Sequence, residues 1–312
     1  MAVTEPPVRP PLGPARPLQS RLGALNRALR TYQWVKNALL FLPLLLAHRV
    51  GDGEAWAAAA VGFVAFSLTA SFGYVVNDLV DREADRQHPT KRHRPFASGA
   101  LSPAFGVALA PALLLVAFGL AAWLLPAAFL VALAAYLVTT VAYSFALKRM
   151  PVTDVVVLAG LYTLRILAGG AATGITVSEW LLGFSMFFFL SLAMLKRYAE
   201  LRLLELDPVA SLHGRGYRGE DLVLLRNAGA ASGYLSVLVL VLYVSSPEVV
   251  VLYARPVLLW LVGALLLHWI TRVWLLAGRG AVADDPILFA AKDPASWLTF
   301  ALAAGTVALA ST

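Results

Sequence analysis

The chain has 312 residues, of which 60% are hydrophobic and only 14% charged. A soluble globular chain is nearer half apolar and a quarter charged, so the composition excludes an ordinary cytosolic enzyme and a disordered chain. It also excludes a nucleic-acid partner as the reason for the net charge of +7, because on a chain threaded through a bilayer such an excess reports cytoplasmic loops beside anionic lipid.

Residues 1–31 are rich in Pro and Arg and contain no apolar run. They read as a basic, partly disordered cytoplasmic arm, and no small-residue cleavage site follows a hydrophobic core, so a signal peptide is not expected. The rest, 32–312, reads as one all-α polytopic membrane domain. Nine apolar segments are candidate spanning helices: Tyr32–Ala47, Trp56–Val76, Pro103–Leu124, Ala127–Leu147, Val152–Ala172, Ser178–Leu195, Asn227–Val244, Val249–Leu276 and Ala295–Leu309. The first is short, carries Lys36 and has Pro43 to kink it. The third and fourth are separated by a tight turn at Pro126, the pattern of a helical hairpin. A β-barrel would need alternating segments of about ten residues, which are not present.

Nine spans put the termini on opposite sides, and the basic residues agree. Of the 25 Lys and Arg, 22 fall on the arm, the first span and the loops or span ends of one face; only Arg49 and Arg255 fall on the other, and Arg165 lies within a span. The amino terminus is expected inside and the carboxyl terminus outside. With no cysteine, disulfides, thiolate catalysis and Cys-ligated metals are excluded.

The second segment runs into Asn77-Asp78-Leu79-Val80-Asp81-Arg82-Glu83-Ala84-Asp85. On a continuous helix Asp78, Asp81 and Asp85 share a face, with Asn77 one turn before Asp81, and the outer carboxylates lie about 10 Å apart along the axis. Such a face repels itself unless a cation sits between the groups. Hard oxygen ligands select Mg²⁺ or Ca²⁺, and Mg²⁺ completes its shell with substrate phosphates. Lys91, Arg92 and Arg94 follow, between Pro89 and Pro95, and supply cations that suit a diphosphate. The competing reading is a solvated helix end with salt bridges such as Asp78–Arg82.

The spacing Asn-Asp-x-x-Asp-x-x-x-Asp resembles the first aspartate-rich motif of the UbiA superfamily of intramembrane transferases. The run through His88-Pro89-x-Lys91-x-x-Arg94-Pro95 is similar to the decaprenyl-phosphate (polyprenyl-phosphate) phosphoribosyltransferase branch. Gln33-Trp34-Val35-Lys36-Asn37, Tyr143-Ser144-x-x-Leu147-Lys148, Arg165 with Ala168-Gly169-Gly170, and Lys196-Arg197-Tyr198-Ala199-Glu200-Leu201 extend the resemblance over essentially all of the chain after the arm. It implies a nine-helix UbiA-like bundle in the bacterial cytoplasmic membrane. The implied reaction is Mg²⁺-dependent transfer of 5-phosphoribosyl from phosphoribosyl diphosphate (PRPP) to a polyprenyl phosphate such as decaprenyl phosphate, in cell-envelope biosynthesis.

The resemblance also implies roles. Asn77, Asp78, Asp81 and Asp85 would hold the metal, the three aspartates being the catalytic carboxylates. Lys36 is a phosphate ligand or a cation snorkelling to the interface, and Asn37 a positioning group. Lys91 and Arg94 suit the ribose 5-phosphate. Lys148 fits a phosphate position, though cations also suit a helix end. The superfamily carries a second Asp-rich motif where this chain has Lys196, Arg197 and Glu200, implying fewer metal ligands and more phosphate contacts there. Arg165, near mid-span, faces a partner or a cavity; it is either a substrate contact or a structural group paired to a carboxylate, with Asp154 three turns earlier on its face, or to helix carbonyls. The loop Gly214-Arg215-Gly216-Tyr217-Arg218 reads as a linker, and Asp284, Asp285 and Asp293 as unspecific loop acids. A homo-oligomer is compatible with all of this. Two alternatives stand beside the implied reaction: isoprenyl transfer to an aromatic acceptor, which would use the same acidic cluster, and a transporter or lipid-binding protein, which would instead place its charges near the membrane midplane.

Overall fold

The computed structural model describes residues 18–47, 49–88, 90–206, 216–246, 249, 253–282 and 285–311. The first seventeen residues of the arm, Pro89, Gly214, Arg215 and Asp284 lie outside the described residues. Among the described residues the fold is helical, without strands.

Helix α1 (Leu18–Leu29) leads into a 3-10 segment, Thr31–Phe41, which passes directly into α2 (Leu42–Leu46), with Pro43 in its first turn. Then follow α3 (Gly53–Val80), α4 (Arg82–Gln87), α5 (Pro103–Leu124), α6 (Ala127–Phe145), α7 (Thr153–Thr173), α8 (Glu179–Leu206), α9 (Asp221–Val244), α10 (Leu259–Gly278), α11 (Pro286–Lys292) and α12 (Pro294–Ser311). Eight of these, α3, α5 to α10 and α12, are long and apolar enough to cross a membrane. The α5–α6 hairpin turns at Pro126 as expected.

Three segments differ from the sequence reading. The first is not one α-helix but 3-10 followed by α. At about 2.0 Å rise per 3-10 residue and 1.5 Å per α residue, those sixteen residues still extend about 30 Å, the thickness of the hydrocarbon core. The sixth continues well past Leu195, so Lys196, Arg197 and Glu200 are on α8 itself. In the eighth, the helix starts only at a 3-10 turn beginning with Pro256, a residue suited to a first turn and not to a helix interior; Arg255 before it donates its N–H to the Ala310 carbonyl.

Two cores organise the bundle. One joins α3, α5, α6 and α7 around Phe66, Phe129 and Leu133; the other joins α7, α8, α9 and α10 around Phe189, Trp269 and Trp274. The 3-10 segment is wedged between them. Leu40 is buried in the first core, while Leu39 and Leu42 pack on the second. Ser67 and Ser71, one turn apart on α3, fasten the segment: Asn37 Nδ2 donates to Ser67 Oγ at 2.9 Å and Trp34 Nε1 to Ser71 Oγ at 3.1 Å. Such hydroxyls replace hydrophobic driving force between helices in lipid. On the other side α7 comes so close that a Cβ on Gly169 would lie 2.1 Å from the Leu40 carbonyl oxygen.

Candidate active site

Three polar clusters occupy one end of the bundle. The first is built on the end of α3. The helix bends at Asp81, which separates α3 from α4, and the bend brings Asp85 back toward Asp78. Arg94 Nη1 lies 3.2 Å from Asp78 Oδ1 and 2.8 Å from Asp85 Oδ2, so one guanidinium nitrogen bridges carboxylates that a straight helix would hold about 10 Å apart. Arg30 Nη2 takes the same Asp78 oxygen at 2.6 Å, and its guanidinium carbon lies 4.7 Å from the Tyr74 ring centroid. Arg30 adopts the left-handed region, φ 50°, which turns α1 into the 3-10 segment. Asn77 Nδ2 donates to Ser144 Oγ at 3.2 Å.

This arrangement corrects the single acidic face. Asp78 and Asp85 are buried, whereas Asp81 is exposed at the bend, and among the described residues no three acidic or imidazole groups converge as a ready metal cage. The Asp78–Arg82 bridge of the competing reading is not formed, Arg82 pairing with Glu83; hydrogen bonds from Arg82 and Arg86 hold Glu83 below the usual carboxylate range. Lys91 is exposed on a 3-10 turn. The chemistry of Asp78 and Asp85 still fits a hard divalent cation: two neighbouring carboxylates beside a cationic loop are what Mg²⁺ takes when phosphate oxygens supply the remaining ligands.

The second cluster joins three distant parts of the chain. Lys36 Nζ of the 3-10 segment and Lys196 Nζ of α8 both reach Asp285 Oδ2, at 2.6 and 3.2 Å. Asp285 caps α11, its Oδ1 accepting the Ile287 N–H at 3.1 Å, and Tyr162 Oη lies 3.3 Å from Oδ2. Burial alone would raise this carboxyl, but the two ammonium groups outweigh it and hold Asp285 well below the usual range. Beside it Arg165 donates from Nε to Asn37 Oδ1 at 2.8 Å, from Nη1 to the Leu161 carbonyl at 2.6 Å and from Nη2 to Tyr136 Oη at 3.0 Å. Of the two structural partners weighed from sequence, the helix carbonyl is the one found, and Asp154 lies elsewhere.

An apolar groove of about 280 Å³ starts at Lys36 and is walled by Leu39, Leu42, Phe188, Trp269 and Ile287, among others. Residues three apart eclipse in a 3-10 helix. Lys36 and Leu39, continued by Leu42 and Leu45 in α2, therefore form one ridge along the groove.

The third cluster is structural. Arg197 is fully buried, 2.7 Å from Asp154 Oδ2, paired also to Glu200 and donating to Tyr143 Oη at 3.3 Å. Arg197 is therefore no open phosphate ligand, and Glu200 pairs with it and not with Lys196. Tyr217 donates to Asp154 and accepts the Val152 N–H at 2.8 Å; burial and then the Asp154 hydrogen bond raise its phenol above the ordinary value. This pins Val152 in positive φ, 67°, unusual for a β-branched residue. The expected linker is thus a latch at Gly216 and Tyr217. Lys148 is half-buried on the 3-10 turn after α6.

Sequence reading missed Arg30 and the specificity of Asp285. Arg30 was counted only as a topogenic charge, and its left-handed backbone has no sequence signature outside Gly and Asn. Asp285 followed by Pro286 was a legible helix-start signal, but its lysine partners lie 249 and 89 positions away.

A model of the UbiA prenyltransferase family matches residues 38–292. The chain is 40% identical to an uncharacterised protein, y4nM, of Sinorhizobium fredii over 90% of its own length, but spans only 55% of that relative. It is 38% identical to the nodulation protein NoeC of Azorhizobium caulinodans, covering 86% of this chain and 87% of that one. To the decaprenyl-phosphate phosphoribosyltransferase of Mycolicibacterium smegmatis it is 40% identical over 63% of this chain and 62% of the relative. The fold matches a solved UbiA homologue of Archaeoglobus fulgidus bound to GPP and Mg²⁺, with a TM-score of 0.65 at 17% identity, over 91% of this chain and 99% of that one. The apolar helices and these relatives make it a multi-pass protein of the bacterial inner membrane. With the family model matching most of the chain, the aspartate cluster and Lys196 included, the chain belongs to the UbiA prenyltransferase family.

Proposed function

We propose that the protein transfers 5-phosphoribosyl from PRPP to a polyprenyl phosphate at the cytoplasmic membrane face, releasing pyrophosphate. The observation that carries this reading is the pair of ammonium groups, Lys36 and Lys196, that meet at Asp285, with Lys36 also lining an apolar groove. An apolar groove lined by a lysine, with a second ammonium group on the same carboxylate, suits an anionic lipid. The likeness to decaprenyl-phosphate phosphoribosyltransferases points the same way.

The donor diphosphate binds at the Asp78–Asp85 pair. Asp78 and Asp85, with Asn77 and Asp81 at the rim, would hold Mg²⁺ there, and the ion would supply charge neutralisation for the departing diphosphate. Arg30 sits against Asp78 and Arg94 against both carboxylates, placed to take phosphate oxygens from the donor, and exposed Lys91 reaches the 5-phosphate from solvent. Lys36 and Lys196 hold the lipid phosphate in line with C1. A phosphate oxygen forms the new bond to C1 through an oxocarbenium-like state, and the C1–O bond breaks with its electron pair leaving on pyrophosphate. The nucleophile is already anionic and needs no general base. The 3-10 segment with α2 serves as a ninth crossing, which puts the amino terminus inside and the carboxyl terminus outside, consistent with the basic-residue distribution.

The test is direct. Purified protein is incubated with Mg²⁺, labelled PRPP and polyprenyl phosphate, and label is counted in the organic phase. Label should partition with the lipid and vanish with EDTA. No transfer from PRPP, with transfer from an isoprenyl diphosphate to 4-hydroxybenzoate, overturns the reading.

A further inference from the structure

We propose that Asp285 is a built-in occupant of the acceptor-phosphate subsite, holding the ammonium groups of Lys36, which lines the groove, and of Lys196 until the phosphate of an amphiphilic phosphomonoester takes both from it. This deepens the acceptor half of the reaction proposed above and rests on it.

Three observations carry it. First, one carboxylate oxygen serves both ammonium groups. An ammonium group has three donors, so a single carboxylate leaves the two lysines with donors and charge in excess, and Arg165 on neighbouring Asn37 adds another cation. A phosphomonoester brings close to two negative charges and three acceptor oxygens, a better match than the carboxylate it replaces. Second, Asp285 is not stranded when the lysines leave: its Oδ1 keeps the Ile287 N–H, and Tyr162 Oη remains within 3.5 Å. Third, the exchange is felt by the lipid tail. Lys36 lines the groove, and so do Ile287 and Ala290 of α11, the helix that Asp285 caps. Head and tail of the ligand thus act on the same short helix. A charge held in place by an internal counter-ion is also stabilised near the membrane while the site waits.

The experiment measures binding of farnesyl phosphate, by titration calorimetry, to the full chain in detergent without donor or metal. Asp285→Asn removes the charge and keeps the helix cap, Asn being as good a capping residue as Asp. A site whose internal carboxylate leaves it open about one part in five of the time binds about fivefold more weakly than one without it, so Asp285→Asn should tighten farnesyl phosphate at least about fivefold. A merely structural Asp285 gives the opposite sign. Lys196→Gln, with the Lys36–Asp285 pair intact, should weaken binding about tenfold or more. Equal or weaker binding by folded Asp285→Asn overturns the proposal; where that variant does not fold, unchanged affinity in Lys196→Gln overturns it. Inorganic phosphate binding as tightly as farnesyl phosphate, or PRPP displacing it competitively, assigns the subsite to another phosphate and overturns it as well. If the affinities shift as expected but PRPP donates nothing, the reaction above fails and this subsite stands; transfer from PRPP with unshifted affinities gives the reverse.

Discussion

Arg197 Nε lies 2.7 Å from Asp154 Oδ2, and neither side chain reaches solvent. The adjacent Lys196 points to Asp285 instead and keeps a quarter of its side chain exposed. Two neighbouring cations of one motif thus split into a fully buried ion pair and a solvent-reachable one.

That split predicts different failures. Arg197→Met leaves Asp154 and Glu200 without their buried counter-charge and should cost about 3–5 kcal/mol. The detergent-solubilised protein should show a large fall in thermal midpoint, with partial recovery on adding Asp154→Asn. Lys196→Gln should leave the midpoint in place and raise the KM for the lipid acceptor. Thermal melts of both variants beside initial rates check the assignment; a stable, poorly binding Arg197→Met would reverse it.

The aspartates should also separate. Asp81 is exposed at the bend between α3 and α4 and contributes nothing buried to the fold, so Asp81→Asn should melt like the parent. A loss of transfer of about 100-fold or more would then come from chemistry alone. Asp78→Asn weakens contacts with both Arg30 and Arg94 and should lower stability and activity together. Retained turnover in Asp81→Asn would remove it from the site.

Gly169→Ala tests the wedge. The new methyl meets the Leu40 carbonyl, a backbone atom that cannot rotate away. Overpacking of this kind costs about 1–3 kcal/mol. It pushes the 3-10 segment off α7 and with it Lys36 and Asn37, so acceptor KM should rise along with the drop in midpoint. An unchanged KM would place the lipid head elsewhere.

The base of α12 predicts an acid-sensitive contact. Hydrogen bonds from Arg272, at 2.7 and 3.0 Å, and from Ser296 lower Asp293 to about 2. The folded value lies below the ordinary 3.8, so the contribution to stability is full above about pH 4 and is lost as pH falls toward 2. Arg272→Leu should therefore melt below the parent by a constant margin near neutrality, with the margin closing between those pH values. A margin that widens in acid would refute the linkage.

The membrane class, the hairpin at Pro126 and the position of most spans were legible because apolar runs and Pro signals are local. The acidic motif was legible as residues but not as geometry, since the bend at Asp81 and the bridging Arg94 depend on the loop folding back. Lys36 and Lys196 were each readable from the family pattern; their meeting at Asp285 was not, because it requires the last loop to return to the first segment. The 3-10 form of Thr31–Phe41 escaped a reading tuned to 3.6 residues per turn: its ridge at Lys36, Leu39 and Leu42 becomes regular only at a period of three.

That ridge constrains how the segment can vary. With three residues per turn, inserting or deleting a single residue between Lys36 and Leu42 turns everything beyond it by about 120°. Either the ammonium group or the leucines would leave the groove. The depth of the groove can therefore be retuned by exchanging large side chains for small ones along the row, or in whole steps of three residues, but not by gradual lengthening of the segment.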